Sequence, residues 1–280
     1  MPPLEVKRSC GEAVSRIQPR QRYGALLEDC RDRLRRAAVL ERWHPELVEL
    51  AAGGKLLRPY LLLAAADAVG GDAGRCLQAA EAVELLHAAS LVHDDIVDGS
   101  PMRRGRPALH VTIGRDVALV AGDLLLTTAV ARLATLGEGV DPGRRLRAVA
   151  IFAASAMRCC RGEIADLGLD RRTLGPEYVA VAREKTAAQF VGAATIGAVL
   201  AGSGEAERQA LATYAEALGV AFQLDDDLRD LDVRARSAGA LRSLYVERAL
   251  TALQPLRRSS GRAALHDLAD SLRGADDHDR

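Results

Sequence analysis

Apolar residues recur along this chain three and four positions apart, and the periodic stretches are separated by short runs of glycine and proline. That spacing places apolar side chains on one face of a helix. It predicts helices over roughly Arg22 to Glu41, Pro59 to Val69, Ala73 to Val97, Asp116 to Leu136, Gly143 to Leu167, Pro176 to Ala201 and Glu205 to Leu231, with a charged helical segment from Ala240 to Leu272. Gly53-Gly54, Gly70-Gly71, Gly99 to Pro107, Leu136 to Gly143 and Leu174-Gly175-Pro176 supply the breaks. No low-complexity linker marks a boundary, so residues 1–280 are expected to form one domain, with 1–20 and 274–280 poorly ordered.

Composition sharpens this to an all-α class. Aromatic residues make up only 3% and alanine recurs in nearly every block, which suits close-packed helices better than strands. A 49% hydrophobic fraction over 280 residues is enough for a substantial core. Basic and acidic residues balance at 38 each, so no global field favours nucleic acid or an anionic membrane, and any phosphate binding has to be local. Cys10, Cys30, Cys76, Cys159 and Cys160 lack metal-site spacing and read as reduced core thiols. Met1 to Gly11 has no apolar signal core, and the apolar run Phe190 to Gly202 is short and interrupted by glycine, so a cytoplasmic location is expected with no transmembrane segment.

Against this background two acidic clusters stand out, Asp94-Asp95-Ile96-Val97-Asp98 and Asp226-Asp227-Leu228-Arg229-Asp230. Each follows a strongly apolar helical run, Val83 to Val92 and Leu218 to Leu224, and its outer carboxylates lie one helical turn apart on one face. A solvated helix end explains one such cluster about as well as a site does. Two copies change the balance, because aspartate at a helix C-terminus opposes the macrodipole. Oxygen-only clusters without neighbouring Cys or His suit a hard cation, and magnesium, which keeps waters and bridges to phosphate, is the natural occupant.

Cations suited to a diphosphate flank the first cluster. Lys55 and Arg58 lie in Gly53-Gly54-Lys55-Leu56-Leu57-Arg58-Pro59, and Arg103-Arg104-Gly105-Arg106-Pro107 follows on a loop. Lysine is rare here, with Lys7, Lys55 and Lys185 the only three, which draws attention to 55 and 185.

Gly53-Gly54-Lys55-x-x-Arg58-Pro59, His87 to Asp98, Arg103-Arg104-Gly105, Ala121-Gly122-Asp123, Lys185-Thr186-Ala187 and Phe222-Gln223-x-x-Asp226-Asp227-x-x-Asp230 occur in the order found in trans-isoprenyl diphosphate synthases. The chain resembles this polyprenyl synthetase family from about Gly53 to Asp230, and in character it is nearest to geranylgeranyl diphosphate synthases. The resemblance implies the isoprenoid synthase fold, antiparallel helices around a deep central cavity, usually as a homodimer. It implies three magnesium ions, with manganese as an alternative, held on an allylic diphosphate between the aspartate motifs. Asp94, Asp98 and Asp226 would then bind metal directly, and Asp95, Asp227 and Asp230 would orient metal waters. Lys55, Arg58, His87 and Arg104 match the isopentenyl diphosphate site, Arg103 and Lys185 the allylic diphosphate, and Thr186 and Gln223 positions that offer oxygen dipoles to a carbocation.

Product length would depend on how far an apolar tail runs below Asp94. At ~1.5 Å per helical residue, Ala89 and Ser90 lie roughly 6 to 8 Å below that aspartate. Both are small, so the cavity floor is expected to be open there and the product longer than farnesyl, with geranylgeranyl (C20) the first choice. The chain also departs from the family. Gly162-Glu163-Ile164-Ala165-Asp166 carries a charge where a glutamine is usual, and Leu231 to Ser243 is short and lysine-free, leaving Arg234 or Arg236 as substitutes for a diphosphate-contacting lysine. Two other readings follow from these departures: a partner subunit with little activity of its own, and a terpene cyclase on the same fold.

Overall fold

The structure, a computed structural model, describes residues 20–40, 42–137, 139–168, 175–230 and 235–273, with only the backbone given at 20–21, 40, 229–230 and 235–237. The expectations for both chain ends, for Arg234 and Arg236, and for the side chain of Asp230 lie outside the described residues.

Helices α1 (Arg20–Leu40), α2 (Pro45–Ala52) and α3 (Leu57–Ala68) lead to a 3-10 turn at Ala73–Cys76 and then α4 (Leu77–Val97). A hairpin of two-residue strands, β1 (Met102–Arg103) and β2 (Arg106–Pro107), precedes α5 (Leu109–Ile113), α6 (Arg115–Ala134) and α7 (Pro142–Asp166). The chain continues through α8 (Pro176–Ala182), a π-helical turn (Arg183–Ala187), α9 (Ala188–Ala201), α10 (Glu205–Asp230), α11 (Ala235–Ala252) and α12 (Ser260–Asp270).

Burial separates inner from outer helices. Leu61, Leu62 and Leu63 on α3 and Phe190, Ala193, Ala194 and Ile196 on α9 are all fully enclosed, as expected for helices apolar on every face. Around them α4 lies on α6, α7 on α9, and α10 on α11. Side-chain bonds fix the directions. Gln78 donates to the Arg132 carbonyl while His93 reaches the Leu119 carbonyl, so α4 and α6 run antiparallel. Tyr214 and Tyr60 donate to the Leu265 and Ala264 carbonyls, tying α12 to α10 and α3.

Several expectations differ, beginning with the helix expected from Ala73, which opens with the 3-10 turn before α4. The segment expected from Ala240 to Leu272 is two helices, broken near Pro255 and restarted by Ser259, whose hydroxyl caps the Arg262 N–H. The loop holding Arg103 and Arg104 is a hairpin. The span expected as one helix from Pro176 contains the π turn. In addition, α6 is long and apolar enough, by length and composition, to cross a bilayer. Its inner face, Ala118, Gly122, Leu125, Ala129 and Leu133, is packed, whereas Val117, Val120 and Leu124 face outward. Leu146, Met157 and Ile164 form a comparable exposed apolar row on α7.

Candidate active site

Helix α4 is buried on nearly every face, yet ends in Asp94, Asp95 and Asp98, the last at its C-cap with its N–H on the Asp94 carbonyl at 2.8 Å. Asp95, 2% exposed, accepts two N–H groups of Arg103, that from Nε at 2.9 Å. The hairpin turn aims this arginine: Arg104 (φ 52°) and Gly105 (φ 76°) both adopt the left-handed conformation that primed two-residue turns require. Burial opposes the Arg103 charge, but Asp95, then Asp94 and Asp98, hold the guanidinium firmly protonated.

Lys185 is the hub of the cluster. Its ammonium lies 2.5 Å from Glu163 Oε2 and 2.8 Å from Asp166 Oδ2, both on the last turns of α7. Burial works against this charge, yet Asp94, Asp166 and Glu163 together hold Lys185 above the usual lysine range. Burial pushes the Asp94 carboxyl upward, Lys185 opposes it, and Glu163 reinforces it by charge and by a hydrogen bond. The acidic ends of α4 and α7 therefore meet on one lysine, and the π turn supplies it. π turns shift side-chain register within a helix and recur at functional sites.

Gly162 makes that approach close: a Cβ there would lie 2.2 Å from the Lys185 backbone nitrogen. Gly162→Ala has to push α7 off the π turn, at a cost of about 1–3 kcal/mol. A drop of roughly 2–10 °C in melting temperature is expected, and an unchanged thermal melt would contradict this packing.

The second cluster reaches the same region from α10. Thr186 donates to Gln223 Oε1 at 2.5 Å, and the Gln223 amide donates to Asp227 Oδ1 at 3.0 Å. Tyr178, on α8, donates to the other oxygen of Asp227. Burial, then Asp227, Asp166 and Asp226, keep this phenol protonated, so Tyr178 stands between the acidic groups of α7 and α10. Asp225, buried beside them, accepts from Arg242 of α11 at 2.9 Å. The two aspartate-rich ends thus converge through Lys185, Asp166 and Tyr178.

Among the described residues no three metal-binding side chains converge tightly enough to cage an ion unaided. The donors available, Asp94, Asp98, Asp226 and Asp227, are all carboxylates, which fits a magnesium ion that keeps waters and completes its shell with phosphate oxygens.

A second cationic group lies behind α4. Arg58 is buried with its guanidinium carbon 5.2 Å over the Phe190 ring. Burial, then Arg58, Arg104 and Arg103, drive the His87 imidazole well below its usual range, so it is neutral. Glu84 lies fully enclosed; burial raises its carboxyl, with Arg58, Arg104 and Arg31 opposing. Arg31 also donates to the Gly54 carbonyl at 3.0 Å, bringing the glycine segment to the same place, while Lys55 itself is exposed. An open cavity of about 200 Å³ adjoins the group, lined by Glu49, Gly53, Asp95, Arg103, Arg104 and Arg106 among others. An acidic region around Lys185 and a cationic one around Arg58 and Arg104 thus flank the end of α4: the second can hold a polyanion directly, the first through divalent cations.

Ala89 is buried and Ser90 half-buried, one turn or slightly more below Asp94. Sequence reasoning missed Tyr178, Glu84 and Gln189. Tyr178 had one usable signal, since it precedes Lys185 by seven residues, two turns on one face. Glu84 and Gln189 had none, because buried polar residues inside apolar helices have no periodic signature.

Known proteins give the same picture. The chain is 38% identical over 192 residues to a short chain isoprenyl diphosphate synthase of Methanothermobacter thermautotrophicus. It is 37% identical over 193 residues to a geranylgeranyl diphosphate synthase of Methanosarcina mazei. Both matches cover 68% of this chain and under three fifths of the relatives' own lengths, 58% and 59%. Among solved structures, a geranylgeranyl pyrophosphate synthetase from Geoglobus acetivorans superposes with a TM-score of 0.78 at 29% identity, covering 88% of this chain and 99% of that one. A polyprenyl synthase from Caulobacter crescentus, complexed with calcium and isoprenyl diphosphate, gives 0.78 at 26% identity, covering 97% and 100%. The all-α isoprenoid synthase fold expected from the sequence is therefore the fold observed. With the polyprenyl synthetase family model matching residues 42–240, the chain belongs to the polyprenyl synthetase family.

Proposed function

We propose that the chain is a magnesium-dependent trans-prenyltransferase that condenses an allylic diphosphate head-to-tail with isopentenyl diphosphate, releasing pyrophosphate and making mainly the C20 product geranylgeranyl diphosphate. The observation that carries this reading is the approach of the two aspartate-rich helix ends, Asp94 beside Lys185 and Asp227 on Tyr178 with Asp166 between them, next to a separate cationic group at Arg58 and Arg104 around neutral His87. One diphosphate needs a grip that stabilises it as it leaves. The other needs only binding, since its double bond is the nucleophile. The relatives named as geranylgeranyl diphosphate synthases support the product length.

Three magnesium ions, held by Asp94, Asp98 and Asp226 and by water to Asp95, Asp227 and Asp230, would neutralise charge developing on the leaving diphosphate. Lys185 and Arg103 add positive charge at the same oxygens, pre-oriented by Asp166 and Asp95. Thr186 and Gln223, already hydrogen-bonded to one another, turn oxygen dipoles toward the allylic carbon that becomes cationic. Lys55, Arg58, Arg104 and neutral His87 position isopentenyl diphosphate, and the released pyrophosphate takes the final proton.

A terpene cyclase has no use for the second cationic group, and a silent partner subunit none for both aspartate motifs. The exposed apolar rows of α6 and α7 are assigned to subunit contact in a homodimer, since exposed patches of this kind mark protein interfaces. Lipid is not needed to explain α6, whose inner face is packed on α4. The protein is read as cytoplasmic.

The decisive measurement incubates purified protein with Mg²⁺, isopentenyl diphosphate and, separately, dimethylallyl, geranyl or farnesyl diphosphate, followed by product sizing. Elongation to C20 is expected. A cyclic hydrocarbon without consumption of isopentenyl diphosphate would establish the cyclase instead, and silence unless a second protein is added would establish the subunit.

A further inference from the structure

We propose that the side-chain amide of Gln189, which no sequence motif marks, sets product length by closing a hydrogen-bonded bar across the cavity beneath the metal-binding end. The inference rests on the prenyltransferase reading above and deepens it. The residues fall into two layers. Asp94, Glu163 and Lys185 form the upper one, from α4, α7 and the π turn. Four residues along each element, Ser90 precedes Asp94, Cys159 precedes Glu163 and Gln189 follows Lys185. These three also meet: the Gln189 amide donates to Ser90 Oγ at 3.1 Å and to Cys159 Sγ at 3.2 Å. The lower layer lies one helical turn, roughly 5–6 Å, deeper than the upper.

The orientation of the amide is fixed by its neighbour. Ser90 donates its own proton to the His87 carbonyl at 2.8 Å, so its oxygen can only accept, and the nitrogen of Gln189 must face it. The same amide is 4% exposed, and its carbonyl oxygen has no hydrogen-bond partner. An enclosed amide with half its capacity unmet is poor core material, since buried polar atoms are nearly always paired. Stability does not explain the residue. A barrier to hydrocarbon does.

Ala89 and Ser90 are small and put no bulky side chain at this level of α4. Gln189 reaches across from α9 instead, so the floor expected to be open beside Ser90 is closed by its amide. Below the bar the side chains are small or apolar again: Leu86, four residues before Ser90; Ser155, whose hydroxyl is committed to the Ala188 carbonyl at 2.8 Å; and Ala193. A growing chain that reaches the bar must break both hydrogen bonds donated by the Gln189 NH2 and leave its two N–H donors buried in hydrocarbon. The main product is then the longest chain that leaves the bar intact, whatever its number of units.

The test compares product ladders of the purified full chain and its Gln189→Ala and Gln189→Leu variants, with Mg²⁺, isopentenyl diphosphate and geranyl or farnesyl diphosphate. Gln189→Ala should move the main product at least one C5 unit upward, the longer products rising about tenfold relative to the wild-type main product, as expected for two lost hydrogen bonds. Gln189→Leu, of similar volume but unable to bond, should lengthen the product to a smaller extent. Isopentenyl consumption with an unchanged Gln189→Ala ladder overturns the inference. A Gln189→Leu ladder identical to wild type, beside a lengthened Ala one, overturns its hydrogen-bonded form in favour of bulk alone. Wild type that consumes no isopentenyl diphosphate instead sinks the underlying prenyltransferase reading. Thermal melts check folding, and should Gln189→Ala fail to fold, Ser90→Ala and Cys159→Ala open the same bar from its other ends and must lengthen the product.

Discussion

Asp94→Asn is expected to lower the condensation rate by a factor on the order of 10² to 10³ without lowering the melting temperature. The size of the loss follows from the chemistry. Ionising an allylic diphosphate leaves negative charge on oxygen, and a preorganised group aimed at that charge contributes about this much to the rate. Asp94 acts through the metal it would bind, so the deficit should persist at saturating substrate and shrink only partly as Mg²⁺ is raised. The stability half follows from the surroundings. Burial and the neighbouring Glu163 both disfavour the charged form of Asp94, so a neutral amide relieves repulsion rather than creating it. Steady-state assays over a Mg²⁺ series, beside thermal melts, measure both halves. Activity within severalfold of wild type would remove Asp94 from the mechanism. A large fall in melting temperature would turn it into a structural residue. Asp95→Asn is a useful contrast: it removes the negative charge that balances the half-buried Arg103, so there a stability loss is expected to accompany the loss of rate.

The helices that carry the acidic motifs were legible in the sequence because a long apolar run needs no tertiary information to declare its period. α4 and α10 end within a residue of where the pattern placed them. Short elements were not. α2 has eight residues between Glu41 and Gly53, too few for periodicity, and strands of two residues show no alternation. The π turn is invisible for another reason: it changes the register of Lys185 and Thr186 without changing their composition.

The candidate site divides along the same line. Carboxylates spaced by one turn can be read from sequence, since helix geometry alone puts them on one face. Partnerships between helices cannot. Glu163 stands in the sequence as a charge where a glutamine is usual; in the fold it shares Lys185 with Asp166, so the chain carries both the extra anion and a cation placed to meet it. Tyr178 on Asp227 and Gln189 on Ser90 span 49 and 99 residues of sequence, beyond any local pattern.

Lys185→Gln should separate the two jobs this lysine performs. In the proposed reaction its ammonium would meet the leaving diphosphate, and its removal should reduce turnover by about 10²- to 10³-fold. In the fold, without metal, it is the positive charge between Asp94, Glu163 and Asp166. The side chains of the ion-paired three, Lys185, Glu163 and Asp166, are only 13–22% exposed, so water screens the carboxylates poorly once it is gone. Removing one partner from a fully buried pair costs about 3–5 kcal/mol, and with this partial exposure about 1–3 kcal/mol is expected. Divalent cations can take over the second job but not the first. The variant should therefore melt several degrees below wild type in chelator, regain most of the difference in millimolar Mg²⁺, and remain slow in both. Lys185→Arg keeps the charge but not the compact point donor, so it should melt near wild type and still turn over slowly. Equal melting of Lys185→Gln and wild type in chelator would show that the three carboxylates do not depend on the lysine. Recovery of the rate by Mg²⁺ alone would show that the metals, without Lys185, suffice to release the diphosphate.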